Sequence, residues 1–134
     1  MNVTVNYGAV AVAALAGYLI GGLWYGPLFG EAWRKLSKVD ELKPTPSVVM
    51  IGLVSTFIMS LVLSYSLVYA NTVHGTSGVW SGLCAGSWAW LGFVAPVTVG
   101  SVIYEKKPWK LWLVNNGYWL TSLLVMGVIL AVWR

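Results

Sequence analysis

Four long stretches without a charged side chain dominate the chain, at roughly Tyr7 to Gly26, Val48 to Tyr69, Ser77 to Tyr104 and Trp109 to Trp133. A helix needs about 20 consecutive, predominantly apolar residues to cross a bilayer, and each stretch meets that length. A transmembrane barrel would show alternating segments of about ten residues instead, whereas Val48-Val49-Met50-Ile51-Gly52-Leu53-Val54 is apolar without alternation. The pattern therefore predicts an all-α membrane protein, a bundle of four transmembrane helices in a single domain, 1–134. Ala14-Leu15-Ala16 resembles a signal-peptide cleavage site. No Lys or Arg precedes it, however, and apolar sequence continues beyond it, so the first span is expected to be retained.

The segment between the first two spans has its own period. Phe29, Trp33, Leu36 and Val39 recur at helical spacing, with Arg34, Lys35, Lys38 and Glu41 between them. This predicts a short amphipathic helix over about 28–40, lying in the membrane interface. Thr45-Pro46 then provides a helix N-cap followed by proline at the first helical position, which sets the start of the second span. Gly26-Pro27 is expected to stop the first helix, and a tight turn is expected from Asn71 to Thr76.

Composition sharpens this reading. Apolar residues make up 58% of the chain and charged residues 9%, with a mean hydropathy of +0.76; soluble domains carry about a quarter charged residues. The basic residues Arg34, Lys35, Lys38 and Lys43 fall between spans one and two, and Lys106, Lys107 and Lys110 between or just inside spans three and four. The positive-inside rule then puts loops 27–47 and 105–108 in the cytoplasm and both termini on the opposite side of an inner cell membrane, with Arg134 as a weak counter-signal. Trp24, Tyr25, Tyr104 and Trp109 mark the cytoplasmic boundary and Tyr7, Tyr65, Tyr69, Trp80 and Trp133 the other. The net charge of +4 suits anionic lipid headgroups, and no basic stripe suggests nucleic acid. The single cysteine, Cys84, excludes an intramolecular disulfide.

Candidate chemistry is sparse. Gly78, Gly82 and Gly86, then Gly92, Pro96 and Gly100, stand at steps of four in the third span. Small residues at that spacing let helices approach closely in lipid, with Gly17/Gly21 and Gly22/Gly26 of the first span as expected partners, or a second copy of the chain. Pro96 is expected to bend the third helix. Asn115 and Asn116, inside the fourth span, need hydrogen-bond partners. They read as interhelical bonding groups or as part of a ligand pocket with Tyr118 and Tyr18 or Trp88. Glu105 reads as a solvated charge, as a salt-bridge partner of Arg34 or Lys35, or as a site residue. His74 falls at the opposite end. No Asp, Glu, Lys, Arg or His falls at hydrocarbon depth, which disfavours proton relays and ion-coupled transport. No metal-ligand cluster, nucleophile with a base, or phosphate loop is present, and no cofactor is expected.

Three stretches in this order, Trp24-Tyr25-Gly26-Pro27-Leu28-Phe29-Gly30-Glu31-Ala32-Trp33, Trp90-Leu91-Gly92-Phe93-Val94, and Glu105-Lys106-Lys107-Pro108-Trp109-Lys110-Leu111 running into Asn115-Asn116-Gly117-Tyr118, resemble a bacterial integral-membrane family, domain of unknown function 1761 (DUF1761). One departure is Gly26, where the family pattern usually carries serine or another residue. The resemblance implies a four-helix membrane protein without an established activity, and it supplies no catalytic residues. It implies that Trp24, Tyr25, Pro27, Gly30, Trp33, Glu105, Pro108, Asn115, Gly117 and Tyr118 matter as a set.

The residues support a non-enzymatic membrane module that oligomerises, or joins another membrane protein, and holds a lipid-like apolar ligand near the cytoplasmic face. Trp24, Tyr25, Trp33, Glu105, Asn115, Asn116 and Tyr118 are the candidate ligand residues. The segment 24–33 is expected to touch the segment 105–118. One alternative is a transporter or channel for a neutral solute, lined by Ser55, Thr56, Ser60, Ser64, Thr98 and Ser101. The other is a membrane enzyme acting on a lipid-like substrate at the cytoplasmic interface, with Glu105 as acid or base and Asn115 and Tyr118 orienting it.

Overall fold

The structure, a computed structural model, describes residues 5–38 and 45–133. Val39, which would end the amphipathic helix, and Asp40, Glu41, Lys43 and Arg134 of the charge pattern lie outside the described residues. Five helices follow in order: α1 (Tyr7–Leu28), α2 (Gly30–Ser37), α3 (Pro46–His74), α4 (Gly78–Ile103) and α5 (Trp109–Val132). All but α2 are long and apolar enough to span a membrane, and no strand occurs among the described residues. The chain is an all-α, multi-pass membrane protein.

Local signals account for the helix starts. Asn6 caps α1 by accepting from the Ala9 N–H, and Thr45 caps α3 by accepting from the Val48 N–H, with Pro46 at the first helical position. The end of α3 departs from expectation. Asn71 to His74 remain helical, and the chain leaves at Gly75, whose left-handed φ of 64° lets its N–H close on the Asn71 carbonyl. Asn71 Oδ1 also accepts from Thr76 and Ser81, tying the end of α3 to the start of α4.

Gly26-Pro27 does not stop α1. The helix widens into a π turn over Trp24–Leu28, closed by the Phe29 N–H on the Trp24 carbonyl at 2.8 Å, and ends at Phe29. A second π turn, Trp90–Val94, interrupts α4 just before Pro96, with the Ala95 N–H on the Trp90 carbonyl. Proline in an α-helix collides with the carbonyl four residues back. Those carbonyls belong to Leu23 and Gly92, one bordering a widened turn and one inside it. An inserted residue thus stands directly upstream of Pro96, where the bend is expected.

The core joins Val10 and Ala13 of α1, Leu63 and Leu67 of α3, and Leu123, Met126 and Leu130 of α5. Helix α5 is central, touching α1, α3 and α4. Its contact with α4 is the closest and is made by backbone. A Cβ on Gly86 would lie 2.6 Å from the Leu123 carbonyl oxygen, and Gly82 and Gly127 face each other with no room for a side chain on either.

The expected glycine pairing changes accordingly. Gly82 and Gly86 meet α5, not α1, while Gly17 and Gly21 receive Met126 and Tyr118 of α5. Gly22, Gly26, Gly78 and Gly92 face open space, and Gly100 meets only Tyr104 of its own helix. Gly78 has a conformational role instead, with φ at 78° where α4 begins. Large apolar side chains point outward along the spans, as Ile51 (66% exposed) and Phe93 (80%) do, which suits lipid as the surrounding solvent.

Candidate functional site

The end of α1, helix α2 and the start of α5 meet at one end of the bundle. Arg34, Lys35, Lys38, Lys106, Lys107 and Lys110 belong to this same end, which is called the basic end below. The site is built here around Asn115 and Asn116, which follow each other in α5 and so face different neighbours.

On the α1 side, Gly117 lacks the Cβ that would strike the Trp24 ring at 2.8 Å. The indole therefore lies against α5, and its Nε1 donates to the Val114 carbonyl at 2.9 Å. One residue on, Tyr25 donates from its hydroxyl to Asn115 Oδ1 at 2.8 Å. Its ring meets Trp33 and Tyr118 edge to face, with centroids 5.8 and 5.4 Å away. Tyr118 in turn fits beside Gly21 and donates to the Gly17 carbonyl at 3.3 Å. A Cβ on Gly30 would sit 2.6 Å from the Tyr25 carbonyl oxygen, so glycine is what allows α2 to turn back so tightly. The two segments touch, and Trp24, Tyr25, Trp33, Asn115 and Tyr118 form one cluster.

Asn116 serves the other side. Its Oδ1 accepts from Trp90 Nε1 at 3.1 Å, and its Nδ2 donates to Thr98 Oγ1 at 3.1 Å and to the Trp112 carbonyl at 3.0 Å. Thr98 Oγ1 also accepts from Trp112 Nε1 at 3.1 Å and donates to the Val94 carbonyl at 2.7 Å. Asn116 is only 3% exposed, and this arrangement satisfies all of its polar atoms. Both amides thus bond across helices, each to a different partner helix.

Between α4 and α5, beside this network, lies a cavity of about 450 Å³. Tyr104, Glu105, Trp112, Asn115 and Trp119 are among its lining residues. Glu105 therefore joins Asn115 and Asn116 here and stands apart from Trp24, Tyr25, Trp33 and Tyr118. Tyr18 packs beside Gly52 of α3. Trp88 is 70% exposed and lines a separate apolar groove of about 750 Å³ between α3 and α4. Trp88 does not belong to the Tyr118 cluster.

Trp90, Thr98 and Trp112 are absent from the candidate ligand set read from sequence. An indole N–H within a span always needs an acceptor, and Trp112 stands four residues before Asn116, so the fourth span did carry that signal. Trp90 and Thr98 required knowledge of which face of α4 meets α5. No group of three or more His, Cys, Asp or Glu side chains comes together among the described residues.

The family model for DUF1761, described as a protein of unknown function, matches residues 8–131. The chain belongs to the DUF1761 family. The match takes in every part of the site, from the Trp24–Leu28 turn to Tyr118, so the geometry above describes a DUF1761 member at the positions that carry the resemblance. No curated protein and no solved structure matches the chain.

Proposed function

We propose that this DUF1761 protein is a non-catalytic, membrane-embedded binding module that holds an amphiphile with its polar end in the cavity between α4 and α5. The observation that carries this reading is the cavity itself. Its volume of about 450 Å³ lies in the range of small-molecule pockets. Its walls are made rigid by hydrogen bonds among Trp90, Thr98, Trp112 and Asn116. Its rim at the basic end carries exposed Glu105. With the basic end in the cytoplasm, as the positive-inside rule assigns it, the pocket opens at the inner leaflet. Exposed aromatic and aliphatic surface on α3 and α4 leaves room for a second copy or another membrane protein as partner.

A solute path lined by hydroxyls has less support. Ser60 donates to the Val10 carbonyl at 2.8 Å, and Thr56 and Ser55 donate to carbonyls of their own helix. These groups hold helices and backbone.

Native mass spectrometry of the protein released from membranes tests the proposal. The intact protein is expected to retain an amphiphile. Gly100→Phe is expected to be folded and bare, because Gly100 lines the cavity and only Tyr104 lies near the added Cβ. A bare wild-type protein, or an adduct that Gly100→Phe leaves in place, would overturn it.

A further inference from the structure

The lining of the cavity also limits what chemistry fits there. Asn116 is saturated, Trp112 Nε1 is bonded to Thr98, and Asn115 Oδ1 is bonded to Tyr25. Each amide oxygen already accepts one hydrogen bond, and Asn115 Nδ2 and the Ser101 hydroxyl are further uncharged polar groups of the lining. The three rings of Tyr104, Trp112 and Trp119 remain, with Glu105 as the single charged side chain of the lining. We infer that the cavity recognises an ammonium group, quaternary or alkylated, attached to an apolar body; this rests on the binding reading above.

Two attractions act together on such a group. A cation within about 6 Å of an aromatic centroid is drawn to the ring face, most strongly to tryptophan. A carboxylate beside the rings supplies the opposite charge. An anionic head would meet the Glu105 carboxylate with nothing positive in the lining, and a neutral head would gain neither the attraction of the ring faces for a cation nor that of the carboxylate. Lys106, Lys107 and Lys110 are exposed and do not line the cavity.

The ammonium group could come from a lipid headgroup or from a free organic cation, and one set of titrations tests both. The protein is placed in nanodiscs of digalactosyl diacylglycerol, which carries no charge and no amine. It is then titrated with choline and with 3,3-dimethylbutan-1-ol, the neutral carbon analogue, with tryptophan fluorescence as the readout. Choline is expected to bind at least about tenfold more tightly, within the span of about two- to thirtyfold that cation–π attraction gives. Glu105→Gln, at an exposed position, is expected to keep the fold and to bring the two ligands within about twofold. Trp119→Leu is expected to weaken choline more than the alcohol, and Gly100→Phe to abolish both.

In nanodiscs of phosphatidylcholine, a weaker apparent choline affinity identifies the lipid headgroup as occupant, and an unchanged one identifies the free cation. Equal binding of choline and the alcohol to the wild type, or a preference that survives Glu105→Gln, overturns the ammonium inference and leaves the binding reading standing. If neither probe binds and native mass spectrometry finds no adduct, both fail.

Discussion

Gly86→Ala tests the backbone contact between α4 and α5. The new Cβ would lie 2.6 Å from the Leu123 carbonyl oxygen, 2.9 Å from the Leu123 carbonyl carbon and 3.1 Å from the Leu124 nitrogen. All three are backbone atoms, so no side chain can rotate away and the helices themselves must separate. Gaps of about 0.5 to 1 Å already forfeit a quarter to a half of each dispersion contact, and overpacking of this kind costs about 1–3 kcal/mol. Alanine regains up to about 1 kcal/mol of helix propensity. With the full regain the net expectation is a loss of up to about 2 kcal/mol, and relative to a glycine-to-alanine change at an open helical position the loss is the full cost of about 1–3 kcal/mol.

Gly92→Ala is the matched control, because nothing lies within 4 Å of its Cβ position, and it is expected to be neutral or to gain up to about 1 kcal/mol from helix propensity. Gly17→Ala should fall between them, since its Cβ meets the flexible Met126 side chain. Reversible unfolding in mixed micelles of sodium dodecyl sulfate and a mild detergent, followed by tryptophan fluorescence, ranks the three variants. If Gly86→Ala unfolds at the same detergent fraction as Gly92→Ala, the close contact is wrong.

Tyr25→Phe should lose about 0.6 kcal/mol, the average for an interhelical hydrogen bond in a membrane protein, and the loss should vanish in an Asn115→Leu background because the two groups share one bond; the same unfolding assay completes that double-mutant cycle. Asn116→Leu should cost more, about 1–3 kcal/mol, because it strands the Trp90 indole N–H and removes donors from Thr98 and the Trp112 carbonyl. A cysteine at exposed Lys35 (Lys35→Cys with Cys84→Ser) should react with a membrane-impermeant maleimide in inverted vesicles and stay unlabelled in intact cells, and the reverse pattern would contradict the charge-based orientation.

The number and approximate position of the spans were legible because lipid demands long charge-free runs, a one-dimensional property of the sequence. The Thr45-Pro46 start was legible for the same reason of locality. The glycine steps of α4 were visible, but their split into packed Gly82 and Gly86 and open Gly92 was not, because the π turn shifts the facing side partway along the helix. Asn115 and Asn116 plainly needed partners in an apolar span. Which partners they took was hidden, since consecutive positions on a helix point about 100° apart and so address different neighbours.

The two π turns suggest why a pair of asparagines, and not one, stands in α5. Each turn begins at a tryptophan, carries glycine two residues later and lies at or just before a proline: Trp24, Gly26 and Pro27 in α1, and Trp90, Gly92 and Pro96 in α4. Each tryptophan sends its indole N–H into α5 within the same short segment, one to the Val114 carbonyl and one to Asn116 Oδ1. Helix α5 is thus held from both sides at the same level. The residue that a π turn inserts rotates the downstream helix by about one position. In α4 that rotation aims Thr98 at Asn116, and in α1 the turn leads directly into the Gly30 bend that brings Trp33 back onto Tyr25. Removing either inserted residue would keep a long apolar helix while turning its polar contacts away from α5. The turn that begins at Trp90 therefore positions the α4 wall of the cavity and the turn that begins at Trp24 the aromatic cluster on the other side of α5, while length and apolarity sufficient to span the membrane would be met without either.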